Sequence, residues 1–235
     1  MLSPLNRLMA RVFQACAVAY LACHALGMSP TWLLALLKGG AVAALAFSVP
    51  LTGAYRRCTA AGLLACSIGD VLLDLEELAS TPELTQQLFL GGLACFLVGH
   101  VFYARAFAAR VDRRLGTSLR RVVLESALSF GTKAAVAAYA TGFFALIWPG
   151  LPRDMRPAVA VYALVIATML LFALAACRLP LAREATLGAL ALVVSDSLLG
   201  YNRFVAPLPS AKLLVMVTYY FGQWGIARSA VRTRG

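Results

Sequence analysis

Residues 157–177 read PAVAVYALVIATMLLFALAAC, with no charged residue among them. A helix of about 20 apolar residues matches the hydrocarbon thickness of a bilayer, and no soluble fold needs so long a run. Similar runs recur along the chain. Candidate spans lie near 10–27, 31–49, 57–75, 86–109, 126–148, 157–177, 183–204 and 210–230. None alternates like a strand, and a backbone in lipid must satisfy its own hydrogen bonds, as a helix does. Composition agrees, at 61% hydrophobic and 13% charged, against about 25% charged in soluble domains. The expected fold is an all-α integral membrane protein of about eight transmembrane helices, forming a single transmembrane domain over 1–235. The connections are short; the longest, 110–125, is basic and reads as holding an interfacial helix. The first span carries no cleavage pattern and is expected to be retained.

A net charge of +11 could suggest nucleic acid, but its distribution argues otherwise. With the N-terminus inside, Arg7, Arg11, Arg56, Arg57, Arg105, Arg110, Arg178, Arg183, Arg228 and Arg232 fall on one side of the membrane. Glu76, Glu77 and Glu83 fall on the other, with only Arg153, Arg156, Arg203 and Lys212 beside them. This is the positive-inside asymmetry. It predicts cytoplasmic N- and C-termini and no nucleic-acid partner. The six cysteines are scattered without a C-x-x-C pair, so they read as small packing residues.

Two segments look duplicated. GDVLLD (69–74) resembles SDSLLG (195–200), and GHVFYARA (99–106) can be laid on GQWGIARS (222–229). The pattern suggests two parallel four-helix repeats, 1–120 and 121–235, with chance matching of short apolar strings as the competing explanation. Under the repeat, Asp70 and Asp196 are equivalent. Each lies 13 residues into its span, about 20 Å along the helix axis.

A carboxylate at that depth is costly unless it has a partner or a task. Neighbouring Ser67, Ser195 and Ser197 could satisfy the two aspartates and lock helices together. Alternatively, the two could perform acid–base chemistry, because like charges in a poorly hydrated site leave one carboxyl holding its proton. Asp74, one turn above Asp70, reads as a solvated rim carboxylate. Lys38 either snorkels to the interface or opposes an aspartate or a substrate phosphate. His100 starts a stripe with Tyr103 and Phe107. Tyr219 and Gln223 share a face that could hold a water or a head group. Asn202 and Arg203 end the seventh span, where Arg203 could meet a phosphate. Glu125 and Lys133 read as structural.

Six segments in order resemble the YhhN-like lysoplasmalogenase family of multi-pass membrane proteins. They are LLKG (36–39), CSIGDVLL (66–73), GHVFYARAF (99–107), PAVAVYALVIATM (157–169), GALALVVSDSLLGYNRF (188–204) and TYYFGQ (218–223). Two positions depart from the family's pattern: Gly39 follows Lys38 where the family typically has proline, and Gly222 stands where alanine is common. The resemblance implies hydrolysis of the vinyl ether bond of lysoplasmalogens, giving a fatty aldehyde and glycerophosphocholine or glycerophosphoethanolamine. It implies no metal or organic cofactor. The partners implied are a lysophospholipid substrate, water and membrane lipids, and in a bacterium the location is the cytoplasmic membrane. Asp70 and Asp196 are the expected catalytic pair. Lys38, His100, Tyr103, Tyr162, Ser195, Asn202, Arg203, Tyr219 and Gln223 are the expected substrate- and water-binding set. A small-molecule or lipid transporter, with the aspartates lining a polar path, is the rival reading. An intramembrane aspartyl protease lacks its partner motif here.

Overall fold

The computed structural model describes residues 3–28, 31–111, 128–177 and 182–232. Among these residues there are eight α-helices and no strand. They are α1 (Pro4–Ala25), α2 (Trp32–Ser48), α3 (Gly53–Glu76), α4 (Pro82–Ala108), α5 (Phe130–Ile147), α6 (Arg156–Ala176), α7 (Ala182–Phe204) and α8 (Ala211–Arg232). Local signals set their starts. Ser3, Thr31, Thr81 and Ser129 each accept a hydrogen bond from the backbone N–H three residues on, and Pro4 and Pro82 follow two of these caps. The basic connection and Glu125 fall largely outside the described residues.

The chain is a helical membrane protein. Five helices (α1, α3, α4, α6, and α5 extended to Gly150) are long and apolar enough to cross a bilayer. The other three fall short for visible reasons. Helix α2 is apolar but has 17 residues. Helix α7 carries Arg183, Glu184, Asp196 and Arg203, and α8 carries Lys212, Gln223, Arg228 and Arg232.

Two helix pairs form the tightest packing, α3 with α4 and α7 with α8. Glycine explains both. A Cβ at Gly62 would lie 2.5 Å from Tyr103 and 3.1 Å from the Gly99 carbonyl oxygen. A Cβ at Gly222 would lie 2.7 Å from Leu192 and 2.9 Å from the Gly188 carbonyl oxygen. Missing side chains let the backbones meet, the usual device of helix association in lipid. Gly39 serves α2 similarly: Ser67 on α3 donates to its carbonyl at 2.8 Å. Helix α8 also touches α1, α2 and α3. Helix α5 is the least embedded, packing mainly on α6, on α7 and on its own terminal turn.

Candidate active site

Asp196 projects from α7 toward α4 and α6. Its Oδ2 accepts a 2.8 Å hydrogen bond from the Tyr162 hydroxyl and lies 3.0 Å from His100 Nε2. The Tyr162 hydroxyl and His100 Nε2 are themselves 2.9 Å apart, closing a triangle. His100 is buried, and its Nδ1 has no hydrogen-bond partner among the described residues. The Asp196 side chain keeps 20% exposure, all the more notable beside a histidine at 2%.

That exposure opens onto a cavity. Helices α4 to α7 enclose about 940 Å³ of space between atoms, including the part that opens outward. Phe89, Phe96, Phe143 and other apolar side chains form most of its wall, while Tyr162, Asp196 and Arg203 supply polar groups. Few convergent polar groups in an apolar hollow are the mark of a ligand site. A second, outward-facing groove of about 860 Å³ runs between α5 and α6. The two hollows share Val136, Ala140, Phe144, Ala163 and Ala167, so a thin seam of mostly small side chains divides them.

Asp70 is placed differently. It is 1% exposed, does not line the cavity, and accepts a 2.6 Å hydrogen bond from the Tyr219 hydroxyl of α8. Nearby, the Tyr103 hydroxyl donates a 2.5 Å hydrogen bond to Gln223 Oε1, with Cys66 beside the two. Gln223 Nε2 is buried without a hydrogen-bond partner among the described residues.

The serines do not serve the aspartates. Ser195 donates to the Val215 carbonyl, Ser197 to the Val193 carbonyl, and Ser67 to Gly39, so tyrosines do the work expected of them. Asp74 is likewise no solvated rim group. It is buried, paired with Lys38 Nζ at 2.8 Å and bonded by the Tyr20 hydroxyl at 3.2 Å. The cause is helical phase: one turn from Asp70, it shares the face that α3 turns inward. Lys38 therefore neither snorkels nor lines the cavity; Asp74 neutralises it. Asn202 accepts from the Leu208 N–H at 2.9 Å and shapes the connection to α8. Lys133 takes no part in this cluster.

Arg203 does reach the cavity. Its guanidinium lies 3.7 Å over the Phe89 ring, and NH1 contacts Glu76 Oε1 at 2.6 Å. The sequence reading missed Glu76 as a site neighbour, and also Tyr139, whose hydroxyl is 2.5 Å from the Ser197 hydroxyl next to Asp196. Only the tertiary packing pairs them.

Comparison with known proteins adds a second line of information. Residues 27–230 match the YhhN family profile. Lysoplasmalogenase TMEM86B of Sus scrofa is 32% identical over 197 residues, covering 83% of this chain and 74% of the relative. Lysoplasmalogenase TMEM86A of Homo sapiens is 31% identical over 179 residues, or 74% of this chain and 65% of the relative. A lysoplasmalogenase of Mycobacterium tuberculosis (strain CDC 1551 / Oshkosh) is 30% identical over 197 residues, covering 77% and 67%. No solved structure matches the chain.

Proposed function

The chain belongs to the YhhN family, and from that premise we propose that it is a membrane-embedded hydrolase cleaving the vinyl ether bond of lysoplasmalogens. One observation carries the reading: a carboxyl group held by a histidine and a tyrosine stands in the wall of an apolar cavity whose polar end holds an arginine. The substrate has the matching layout. Its alkenyl chain suits the aromatic wall, where each buried CH₂ contributes about 0.8 kcal/mol. Asp196 and Arg203 are seven residues apart on one helix, about 10 Å along its axis. A glycerol backbone with its phosphate fits that interval once the arginine side chain reaches back.

Vinyl ether hydrolysis begins with a proton delivered to the β-carbon. The donor must touch that carbon, and of the two aspartates Asp196 is the one that lines the cavity. In this mechanism the double-bond electrons take the Asp196 proton, and positive charge develops on the α-carbon and ether oxygen. The carboxylate left behind stabilises this oxocarbenium ion and accepts a proton as water bonds to the α-carbon. The hemiacetal then collapses: its hydroxyl proton passes to the glycerol oxygen, and an aldehyde and a glycerol hydroxyl separate. Asp70, buried against the Tyr219 hydroxyl and outside the cavity lining, does not touch the substrate in this mechanism. Asp196 itself, the carboxyl group that lines the cavity, holds the water in this mechanism.

All eight helices act as spans in this reading, with both termini cytoplasmic, because that arrangement puts most arginines on one side. The similar packing of α3 on α4 and α7 on α8 supports a duplicated plan.

The test is direct. Purified protein is incubated with an alkenyl lysophospholipid or its saturated-ether analogue, and fatty aldehyde is measured. Aldehyde from the alkenyl lipid alone is expected. Substrate bound or moved without aldehyde would refute hydrolysis and favour transport.

A further inference from the structure

The cavity's polar end holds an ion pair of which the reading above uses only the arginine. Glu76 ends α3, Arg203 nearly ends α7, and they meet at 2.6 Å. Their side chains are 12% and 31% exposed, against 33% and 45% for the neighbouring pair Glu77 and Lys212. Of these four residues Arg203 alone lines the cavity, and Glu76 stands at its edge through the bond to Arg203. Phe89 fixes the guanidinium plane from below.

An ion pair between two helix ends contributes little to stability when exposed. At the mouth of an apolar cavity it has another use. Resting on the hydrolase reading for the substrate's orientation, we infer that Glu76 and Arg203 together recognise a zwitterionic phosphoammonium head group. The phosphate takes the Arg203 guanidinium, and the ammonium group, two carbons away, takes the Glu76 carboxylate. Each protein charge exchanges its partner for a lipid charge of the same sign as that partner. The site's net charge does not change. A lipid ending in phosphate alone takes Arg203 as well but strands Glu76 next to added negative charge, so it is disfavoured by both desolvation and repulsion.

Binding of saturated-ether lysophospholipids, which cannot be hydrolysed, tests the pair without relying on turnover. The probes carry phosphoethanolamine or phosphate alone, and Kd is measured on purified protein in neutral detergent. Wild-type protein is expected to bind the phosphoethanolamine lipid about tenfold more tightly than the phosphate lipid. Glu76→Gln is expected to remove that preference, Arg203→Gln to weaken both lipids about tenfold, and Glu77→Gln to leave the preference intact. Equal wild-type affinity for the two lipids overturns the inference, and needs no variant to fold. So does an unchanged preference in a Glu76→Gln protein that elutes as a single monodisperse peak. Aldehyde release from the alkenyl lipid, measured on the same preparations, separates the two claims. Preference without aldehyde sinks the hydrolase and keeps the head-group pair; aldehyde without preference does the reverse.

Discussion

Lys38 and Asp74 offer the sharpest test of the packing. Their side chains are 8% and 9% exposed and meet at 2.8 Å, so neither charge has water to fall back on. Removing one partner of such a pair costs about 3–5 kcal/mol, whereas replacing both charges with neutral groups is often close to neutral. The two single variants should not be equal. Lys38→Met leaves Asp74 without its cation and also removes the cation that acts on Asp70. Asp74→Asn leaves Lys38 with Asp70 still near it, and keeps an oxygen for the Tyr20 hydroxyl. Lys38→Met is thus placed near 5 kcal/mol and Asp74→Asn near 3, on the order of the range for buried pairs. At about 2–4 °C per kcal/mol for a chain of this size, the losses fall at about 10–20 °C and about 6–12 °C. The double variant is expected within about 5 °C of wild type, because no buried charge is left unpaired. Thermal unfolding at one scan rate in one detergent reads all four proteins. A double variant whose loss equals the sum of the singles would refute the argument, as would a milder effect from Lys38→Met than from Asp74→Asn.

Other expectations follow from the site and the helix contacts. Asp196→Asn should lower aldehyde release at least about a hundredfold with unfolding temperature preserved; near-normal turnover would remove Asp196 as the proton donor. Tyr162→Phe takes one hydrogen bond from that carboxyl group and should slow turnover about 10- to 100-fold, measured as kcat on the same lipid. Gly62→Ala drives a methyl group into Tyr103 and should destabilise by about 1–3 kcal/mol. Gly40→Ala meets nothing within 4 Å and should stabilise slightly, so thermal shifts of one sign for both would contradict the packing. Ala163→Trp should weaken turnover of long-chain substrates more than short-chain ones, because Ala163 lines both the cavity and the outer groove.

Much of this was legible in the sequence, and the boundary has a physical cause. Apolar length located the eight helices of the described residues, and the cost of a carboxyl group in lipid singled out Asp70 and Asp196. Position along a helix is a one-dimensional quantity, and the sequence carries it well. Rotation about the axis and the identity of the facing helix are not. Asp74 illustrates the difference: its place near the end of α3 suggested solvent, while its phase relative to Asp70 turned it toward Lys38. The unequal exposure of the two central aspartates was equally invisible, since each lies 13 residues into its expected span and only the cavity distinguishes them. Glu76 and Arg203 lie far apart in the chain, at the ends of α3 and α7, with no local pattern to join them.

The glycine contacts have a mechanical consequence. Backbones that touch cannot slide without collision, so α3 with α4 and α7 with α8 behave as two stiff plates. Asp70 and His100 ride on one plate, Asp196 and Tyr219 on the other. The wall beside them is built from α5 and α6, where contacts are sparser and the seam is largely alanine. A molecule with a long tail would then be admitted by yielding of α5 alone, since Tyr162 ties α6 to Asp196 and His100. Asp196, His100 and Tyr162 would keep their places while α5 gives way, so compliance and accuracy reside in different helices.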